Sequence, residues 1–299
     1  MKPVIRKSAN QTTGSFTVKK LHDPHFDPNW HFHPEYQLFL VLEGTGTRFI
    51  GDSIKHFEAG DLVFTGPNLP HLWRSDPVYF EGNPECRVQG IVVYFDANFL
   101  GPDFFHKPEM FGLKHLLQLS ERGLEITGYT RDILTHQIKA LEQLNGFDRI
   151  LVLLEILHTL SRSHDYNLLS SNGFINTFKP SDTLRMQQVH DYVLTHFKDS
   201  IPLETIAGIA NMSPSAFCRY FKARANKTFY DFVSEIRIGY ACKLLIEEEW
   251  NVTRICYECG YKTLSNFNHQ FKKITGQNPL QYQKQYTAAG NQTENKKAG

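Results

Sequence analysis

Between Ile206 and Gly276 the chain repeats one pattern at a spacing of about 50 residues. The first copy reads IAGIANMSPSAFCRYFKARAN from Ile206, the second ICYECGYKTLSNFNHQFKKITG from Ile255. Ile206 aligns with Ile255, Ala207 with Cys256, Ala210 with Cys259 and Asn211 with Gly260. After one extra residue in the second copy, Phe217 aligns with Phe267, Phe221 with Phe271, Lys222 with Lys272 and Asn226 with Gly276. Each copy predicts two helices joined by a tight turn. Small residues stand where the helices must approach, and Asn211 or Gly260 occupies the turn because these types tolerate a left-handed backbone. Ser213 followed by Pro214 is a helix start. The phenylalanines four apart face a core, and Asn226 and Gly276 end their helices in the left-handed region. These are two helix-turn-helix motifs.

Between the copies, FYDFVSEIRIGYACKLLIEE predicts a helix of about 18 residues, roughly 27 Å long. That length sets two recognition helices near one turn of DNA apart, roughly 34 Å. Charge agrees with a polyanion partner. Residues 1–179 hold 17 Lys+Arg against 20 Asp+Glu, a net of −3; residues 180–290 hold 13 against 10, a net of +3. The pair Cys256 and Cys259 has the spacing of half a zinc site or a redox couple. The repeat argues against both, because the first copy has Ala207 and Ala210 at these packing positions.

The rest of the chain has a different texture. From Trp30 to Phe95, YQLFLVLEG, TRFIGD, DLVFTGP and RVQGIVVYF are short, β-branched and aromatic, and cut by Gly, Pro and Asp, as in a sandwich or barrel. From Lys114 to Arg162 the period becomes helical. RDILTHQIKALEQL puts Ile133, Ile138, Leu141 and Leu144 on one face, Asn145-Gly146 breaks the chain, and DRILVLLEILHTLSR forms a second helix. That helix is apolar around much of its circumference, so one neighbour cannot cover it. It has room to pack on the barrel and on a second subunit. HDYNLLSSNGFINTFKP reads as a linker, and TAAGNQTENKKAG as a disordered tail. The N-terminus lacks the apolar stretch of a signal peptide, and ILVLLEILHTL is too short to span a membrane. A cytoplasmic location without a membrane partner is expected, with the five cysteines reduced.

The C-terminal part resembles the AraC/XylS family of bacterial transcription regulators. The carrying residues are Ile206-Ala207, Ser213, Phe217, Phe221-Lys222, Arg237, Ala241, Leu244 and Leu245. They continue through Ile255, Gly260-Tyr261, Ser265, Phe267, Phe271-Lys272-Lys273, Gly276, Pro279 and Tyr282. The match covers about 182–284. Asn226 replaces a usual Gly, Cys256 a usual Ala, and Gln283 a frequent Arg. The resemblance implies base contacts from Ser215, Cys218 and Arg219 in the first recognition helix and from Ser265, Asn268 and His269 in the second. Arg219 is the strongest of these, since a guanidinium pairs with both acceptors of guanine. Lys222, Arg224, Lys272 and Lys273 are implied as phosphate contacts, which position without reading sequence.

The resemblance extends to the N-terminal part, where HFHPEYQLFLVLEG and FEAGDLVFTGPNLPHLW look like the cupin-type barrel of many such regulators. Metal cupins carry His-x-His, an acid four residues on, a Gly seven later, and a further His after a Gly/Pro turn. Here His31, His33, Gln37, Gly44 and His71 fill that pattern, with a neutral Gln37 at the acid position. In a regular strand His31, His33, Glu35 and Gln37 share one face with Phe39 and Val41. Three uses stay open: hydrogen-bonded capping of the barrel, a metal-free effector pocket, or a divalent metal on His31, His33, Gln37 and His71. An effector pocket would comprise Trp30, His31, His33, Glu35, Gln37 and His71, with Trp30, Tyr36 and Trp73 as stacking faces.

The expectation is an α+β protein of two domains. A cupin-like effector-binding double-stranded β-helix barrel spans 1–110, a dimerising helical hairpin 111–163, a linker 164–180, an all-α DNA-binding domain with two helix-turn-helix motifs 181–286, and the tail 287–299. The expected function is a DNA-binding transcriptional regulator, an activator by family habit, that senses a small polar effector such as a sugar. Its partners are double-stranded DNA, the effector, a second copy of itself and, for an activator, RNA polymerase. No cofactor is required and no catalytic residue is assigned. The alternatives are a metal-dependent cupin enzyme, such as a dioxygenase or isomerase, fused to an adaptor, and a constitutive DNA-binding dimer without an effector. Gln37 and the complete repeat favour the regulator over the enzyme.

Overall fold

Alternating apolar residues in the first half of the chain form strands β1 (Phe16–Asp23), β2 (Tyr36–Glu43), β3 (Gly46–Ile50), β4 (Ser53–Phe57), β5 (Leu62–Thr65), β6 (His71–Ser75) and β7 (Val88–Phe95). The structure is a computed structural model that describes residues 15–83, 85–171, 180–247 and 250–284. It divides into two units, residues 1–184 and 185–299.

In the first unit the strands make two sheets. One has the order β1-β7-β2-β5, extended by β8 (Leu124–Ile126) and β9 (Tyr166–Leu168); the other is β4-β3-β6. Period-two alternation sorts the side chains. Phe39, Val41, Val63, Val88 and Val92 of the larger sheet meet Ile50, Phe57 and Trp73 of the smaller, forming the barrel interior. Gly90 lacks a Cβ because one would stand 2.6 Å from the Phe39 ring. The alternate residues Leu38, Leu40, Leu62, Phe64, Ile91, Val93 and Phe95 point the other way, under helices α1 (Phe111–Ser120), α2 (Gly128–Leu141) and α3 (Gly146–Arg162). β2 is therefore buried on both faces, which explains its continuous apolar run YQLFLVL. Helix α3 buries Leu153, Ile156, Leu157 and Leu160 and leaves Phe147 68% and Leu151 47% exposed.

Three expectations need correction. The barrel does not end near residue 110, because β8 pairs with β5 and β9 with β8. Tyr166–Leu168, inside the expected linker, is thus an edge strand, held where Leu169 N donates to the Gly123 carbonyl. The segment from His31 to Glu35 is not a regular strand. It makes one bridge, His31 to His71, and then bends before β2 begins at Tyr36. The remainder of the linker, 172–179, and the tail 287–299 lie outside the described residues.

The second unit is helical: α4 (Pro180–His196), α5 (Leu203–Ile209), α6 (Pro214–Ala225), α7 (Phe229–Glu247), α8 (Val252–Glu258) and α9 (Leu264–Thr275). The turn residues Asn211 and Gly260 have φ of 54° and 80°, and the helix ends Asn226 and Gly276 have 52° and 78°. Ser213 caps α6 by accepting from Ala216 N, and Thr263 caps α9 by accepting from Asn266 N. Phe217, Phe221, Phe267 and Phe271 are completely buried, as are Ala207, Cys256 and Cys259 at the close approaches. Burial pushes the Cys259 thiol up to about 12, so it stays protonated at neutral pH. No helix among the described residues is long and apolar enough to cross a membrane.

Candidate functional site

Two groups of side chains carry chemistry, one in each unit. In the helical unit the buried phenylalanines fix which face of each second helix looks outward. On α6 the outward stripe is Ser215, Cys218, Arg219 and Lys222, all exposed. On α9 it is Ser265, Asn268, His269 and Lys272, at the same i, i+3, i+4, i+7 spacing. Serine, cysteine, asparagine, histidine and arginine stripes of this kind offer donors and acceptors to base edges, while the lysines offer charge to phosphates.

Two of the sequence-predicted phosphate contacts differ from the rest. Arg224 lies off the stripe, half-buried, with its guanidinium 5.6 Å from the centre of the Tyr220 ring. Lys273 is exposed but donates to Asp231 Oδ1 at 2.7 Å, which ties the end of α9 to the start of α7. That ion pair holds the Asp231 carboxyl below its usual range and the Lys273 ammonium above. Asn266, one position from the stripe, donates to the Tyr230 hydroxyl at 3.3 Å.

In the barrel unit, His31, His33 and His71 converge, and one ring nitrogen of each lies within 4.8 Å of the others. Main-chain carbonyls orient all three rings. The Nδ1 atoms sit 2.7 Å from the Asn29 oxygen for His31, 3.1 Å from the Glu35 oxygen for His33, and 2.7 Å from the Leu69 oxygen for His71. A carbonyl accepts only, so Nδ1 of His31 and of His71 carries the proton and their Nε2 atoms present lone pairs, whereas His33 has an acceptor oxygen beside each ring nitrogen. His33 Nε2 lies 3.1 Å from Gln37 Oε1, so the fourth expected position joins the cluster. His71 Nε2 is buried with no hydrogen-bond partner. Burial, with His31 and His33 beside it, holds the His71 imidazole well below its ordinary value, so it is neutral.

A buried, neutral, unpartnered imidazole nitrogen beside two others fits a divalent transition metal, with Gln37 Oε1 as a neutral oxygen donor. The Asn29, Glu35 and Leu69 carbonyls at the Nδ1 atoms are the outer partners such ligands ordinarily have. His31, His33, Gln37 and His71 are the residues that would hold it.

The other expected pocket residues divide. Trp30 and Trp73 are buried, and the Trp73 ring stands 5.7 Å from His71 and 4.7 Å from Phe39, in the interior. Glu35 lies at the bend, with Oε2 3.4 Å from His33 Nδ1, and its main chain does the orienting. Tyr36 faces the other way. It stacks on Phe95 at 5.1 Å among residues covered by the helices, so it is no wall of the interior. Alternation along β2 puts it there, since Gln37, Phe39 and Val41 take the interior face.

The sequence reading missed Tyr94, whose ring lies 5.2 Å from His33, and a buried charge network. Arg48, 1% exposed, reaches Asp61 Oδ2 at 3.0 Å and also Glu125; Lys55 binds Glu125 at 2.7 Å. Burial raises the Asp61 carboxyl despite Arg48. Burial also pushes Glu125 upward, but Arg48 and Lys55 bring it below its ordinary value. The only signal was an arginine inside the apolar string TRFIG.

Known proteins agree with both units. A helix-turn-helix domain family matches residues 206–285, and a cupin domain family residues 22–77. The HTH-type transcriptional regulator YdeC of Bacillus subtilis (strain 168) is 28% identical over 263 residues, 85% of each chain. The MmsAB operon regulatory protein of Pseudomonas aeruginosa is 26% identical over 270 residues, 84% of this chain and 75% of its own length. Among solved structures, the C-terminal domain of AraT, a response regulator from Geobacillus stearothermophilus, is 29% identical and covers 34% of this chain and 84% of that one, with a TM-score of 0.32. These relatives are regulators and not enzymes. The chain thus carries an N-terminal cupin domain and a C-terminal helix-turn-helix domain, the make-up of a DNA-binding transcriptional regulator.

Proposed function

We propose that this chain is an AraC-type transcriptional regulator that reads one duplex with both recognition helices, and that the histidine cluster of the barrel is its sensing centre. The observation that carries the DNA reading is the pair of matching exposed stripes, 215-218-219-222 and 265-268-269-272, on capped helices joined by the 19-residue α7. At 1.5 Å per residue α7 is roughly 28 Å long, close to the roughly 34 Å between successive major grooves on one face. Ser215, Cys218, Arg219, Ser265, Asn268 and His269 read bases. Lys222, Lys272 and Lys273 hold phosphates, and Arg224 supports the first helix from its flank.

The sensing role rests on the converging ring nitrogens of His31, His33 and His71 and on Gln37 beside His33. The ligand is a small polar effector, such as a sugar, whose hydroxyls would meet Nε2 lone pairs. A bound divalent metal is the second reading, favoured by the unpartnered His71 Nε2. In either case the ligand must bind one state of the regulator more tightly than the other, or it shifts nothing. The uncovered Phe147 and Leu151 of α3 suit a second copy of the chain, with α2 and α3 as the dimer contact. Activation through RNA polymerase is the regulatory sense proposed.

The test is to select a duplex from random-sequence DNA with the full chain, then titrate polar metabolites and, separately, Zn²⁺ and Mn²⁺ against that complex. A ligand-dependent affinity that His33→Ala abolishes supports the sensing centre. Operator affinity that collapses in His33→Ala without any ligand makes His33 structural.

A further inference from the structure

The two helix-turn-helix lobes share α7, but a shared helix fixes their separation better than their rotation. The first lobe is α4 to α6 and the second α8 to α9. A cavity of about 800 Å³ lies between them, lined from both sides by Cys218, Tyr230, Tyr257 and Asn266, so much of the boundary is not packed.

Side chains bridge the boundary. Arg237, in the middle of α7, donates from Nε to the Phe197 carbonyl at 2.6 Å and from Nη2 to the Asp199 carbonyl at 2.7 Å. Its guanidinium lies 5.5 Å from the centre of the Tyr261 ring. Phe197 and Asp199 belong to the α4–α5 connection of the first lobe, and Tyr261 to the α8–α9 turn of the second.

Lys198, between the two carbonyls, extends the contact. Its Nζ binds Glu258 of α8 and the Tyr240 hydroxyl of α7. Its own carbonyl lies 2.3 Å from where a Cβ would stand on Gly260, whose φ is +80°. The first lobe's connection is thus seated directly on the second lobe's turn, with space only for glycine. A planar fork that serves two carbonyls and also faces an aromatic ring suits arginine and not lysine.

We propose that Arg237 is a positioning residue for DNA recognition: it locks residues 197–199 onto the second turn and so holds the two recognition helices in one fixed spacing and phase. The inference rests on the reading that both helices enter one duplex. Pre-set geometry removes the ordering cost that two independently rocking lobes meet when they bind together.

The test uses the full chain, the Arg237→Gln and Arg237→Lys variants, and a duplex that the wild type selects from random-sequence DNA. Affinity is measured on that duplex, on derivatives with one to three base pairs inserted between its two boxes, and on a derivative with one box scrambled. Amide hydrogen exchange is followed without DNA. The expected result for Arg237→Gln is a tenfold or larger loss on the intact duplex, little further loss on insertion, and unchanged one-box binding. Exchange should rise at 198–201 and 258–262 while amides within α6 and α9 stay protected. Arg237→Lys should recover only part of the spacing discrimination.

Unchanged exchange at both segments overturns the clamp. Spacing discrimination as sharp as the wild type's overturns the positioning role, as does an equal loss on one-box and two-box duplexes. Wild-type binding indifferent to spacing overturns the two-groove reading itself, and the exchange result then stands apart from that failure.

Discussion

His31 and His71 are joined main chain to main chain. His71 N donates to the His31 oxygen at 2.9 Å and His31 N to the His71 oxygen at 3.2 Å, and the two rings stand 4.5 Å apart. This isolated bridge, and not a continuous strand, brings together histidines forty residues apart in the sequence. Both imidazoles are placed by backbone, so their positions survive changes in neighbouring side chains.

Removing His71 tests the cluster as a metal centre. His71→Ala should lower Zn²⁺ or Mn²⁺ affinity at least a hundredfold, with the far-ultraviolet spectrum unchanged, because a neutral buried ligand is lost while the His31–His71 main-chain bridge remains. Equilibrium dialysis with the metal alone reads the result. Equal metal uptake by variant and wild type would remove the metal reading.

The Arg48 network tests how the barrel is held. Arg48→Met should destabilise the barrel unit by about 3–5 kcal/mol, because Asp61 and Glu125 then lose their buried cation. Adding Asp61→Asn and Glu125→Gln should recover much of that loss, since the uncompensated charges go with the arginine. Urea denaturation of the three proteins gives the comparison, and a single variant within 1 kcal/mol of wild type contradicts the network's role.

These two sites show what was legible in the sequence. The repeat revealed both helix-turn-helix motifs, because Asn211, Gly260, Ser213 and the phenylalanine pairs are local devices that work wherever they occur. Strands β2, β3, β5 and β7 were visible as dense β-branched runs. Strands β4 and β6 were not, since SIKHF and HLWRS are short and mixed and gain their pairing from β3. The extension through β8 and β9 depends on partners distant in the chain and leaves no local mark. The histidine positions were legible only through their resemblance to a barrel pattern, and period-two alternation correctly put His33 with Gln37, Phe39 and Val41 although a bend precedes Tyr36. Arg48 was overlooked because its acids, Asp61 and Glu125, lie 13 and 77 residues away.

Buried His190 should make the helical unit acid-sensitive. Burial, aided by Lys227, lowers its imidazole from the ordinary 6.5 to about 3. Between those values the unfolded chain binds a proton that the folded chain does not, so stability is full above pH 6.5 and falls as pH drops toward 3. The slope from this group approaches about 1.4 kcal/mol per pH unit. His190→Leu should flatten the dependence measured by denaturant midpoints at pH 6.5, 5.5 and 4.5; parallel slopes in both proteins would contradict it.

The lysine stripe should govern salt dependence and not sequence preference. Lys222→Ala and Lys272→Ala should each reduce the slope of log affinity against log salt by about 0.9 and weaken all duplexes alike. Filter binding at several salt concentrations reads the slope. Loss confined to one sequence, with the slope intact, would make the residue a base reader.

The central claim is that two recognition helices read one duplex. Its most direct measurement is the affinity of the full chain, with Arg219→Ala and Asn268→Ala made singly and together, for the duplex selected by the wild type and for point-mutated versions of each box. The account predicts that Arg219→Ala loses about 1–3 kcal/mol and relaxes preference in one box only, with the oligomeric state unchanged. Asn268→Ala should do the same in the other box, and the double variant should retain only salt-sensitive nonspecific binding. Unchanged affinity and preference in Arg219→Ala, or relaxation of the same box by both variants, would contradict it.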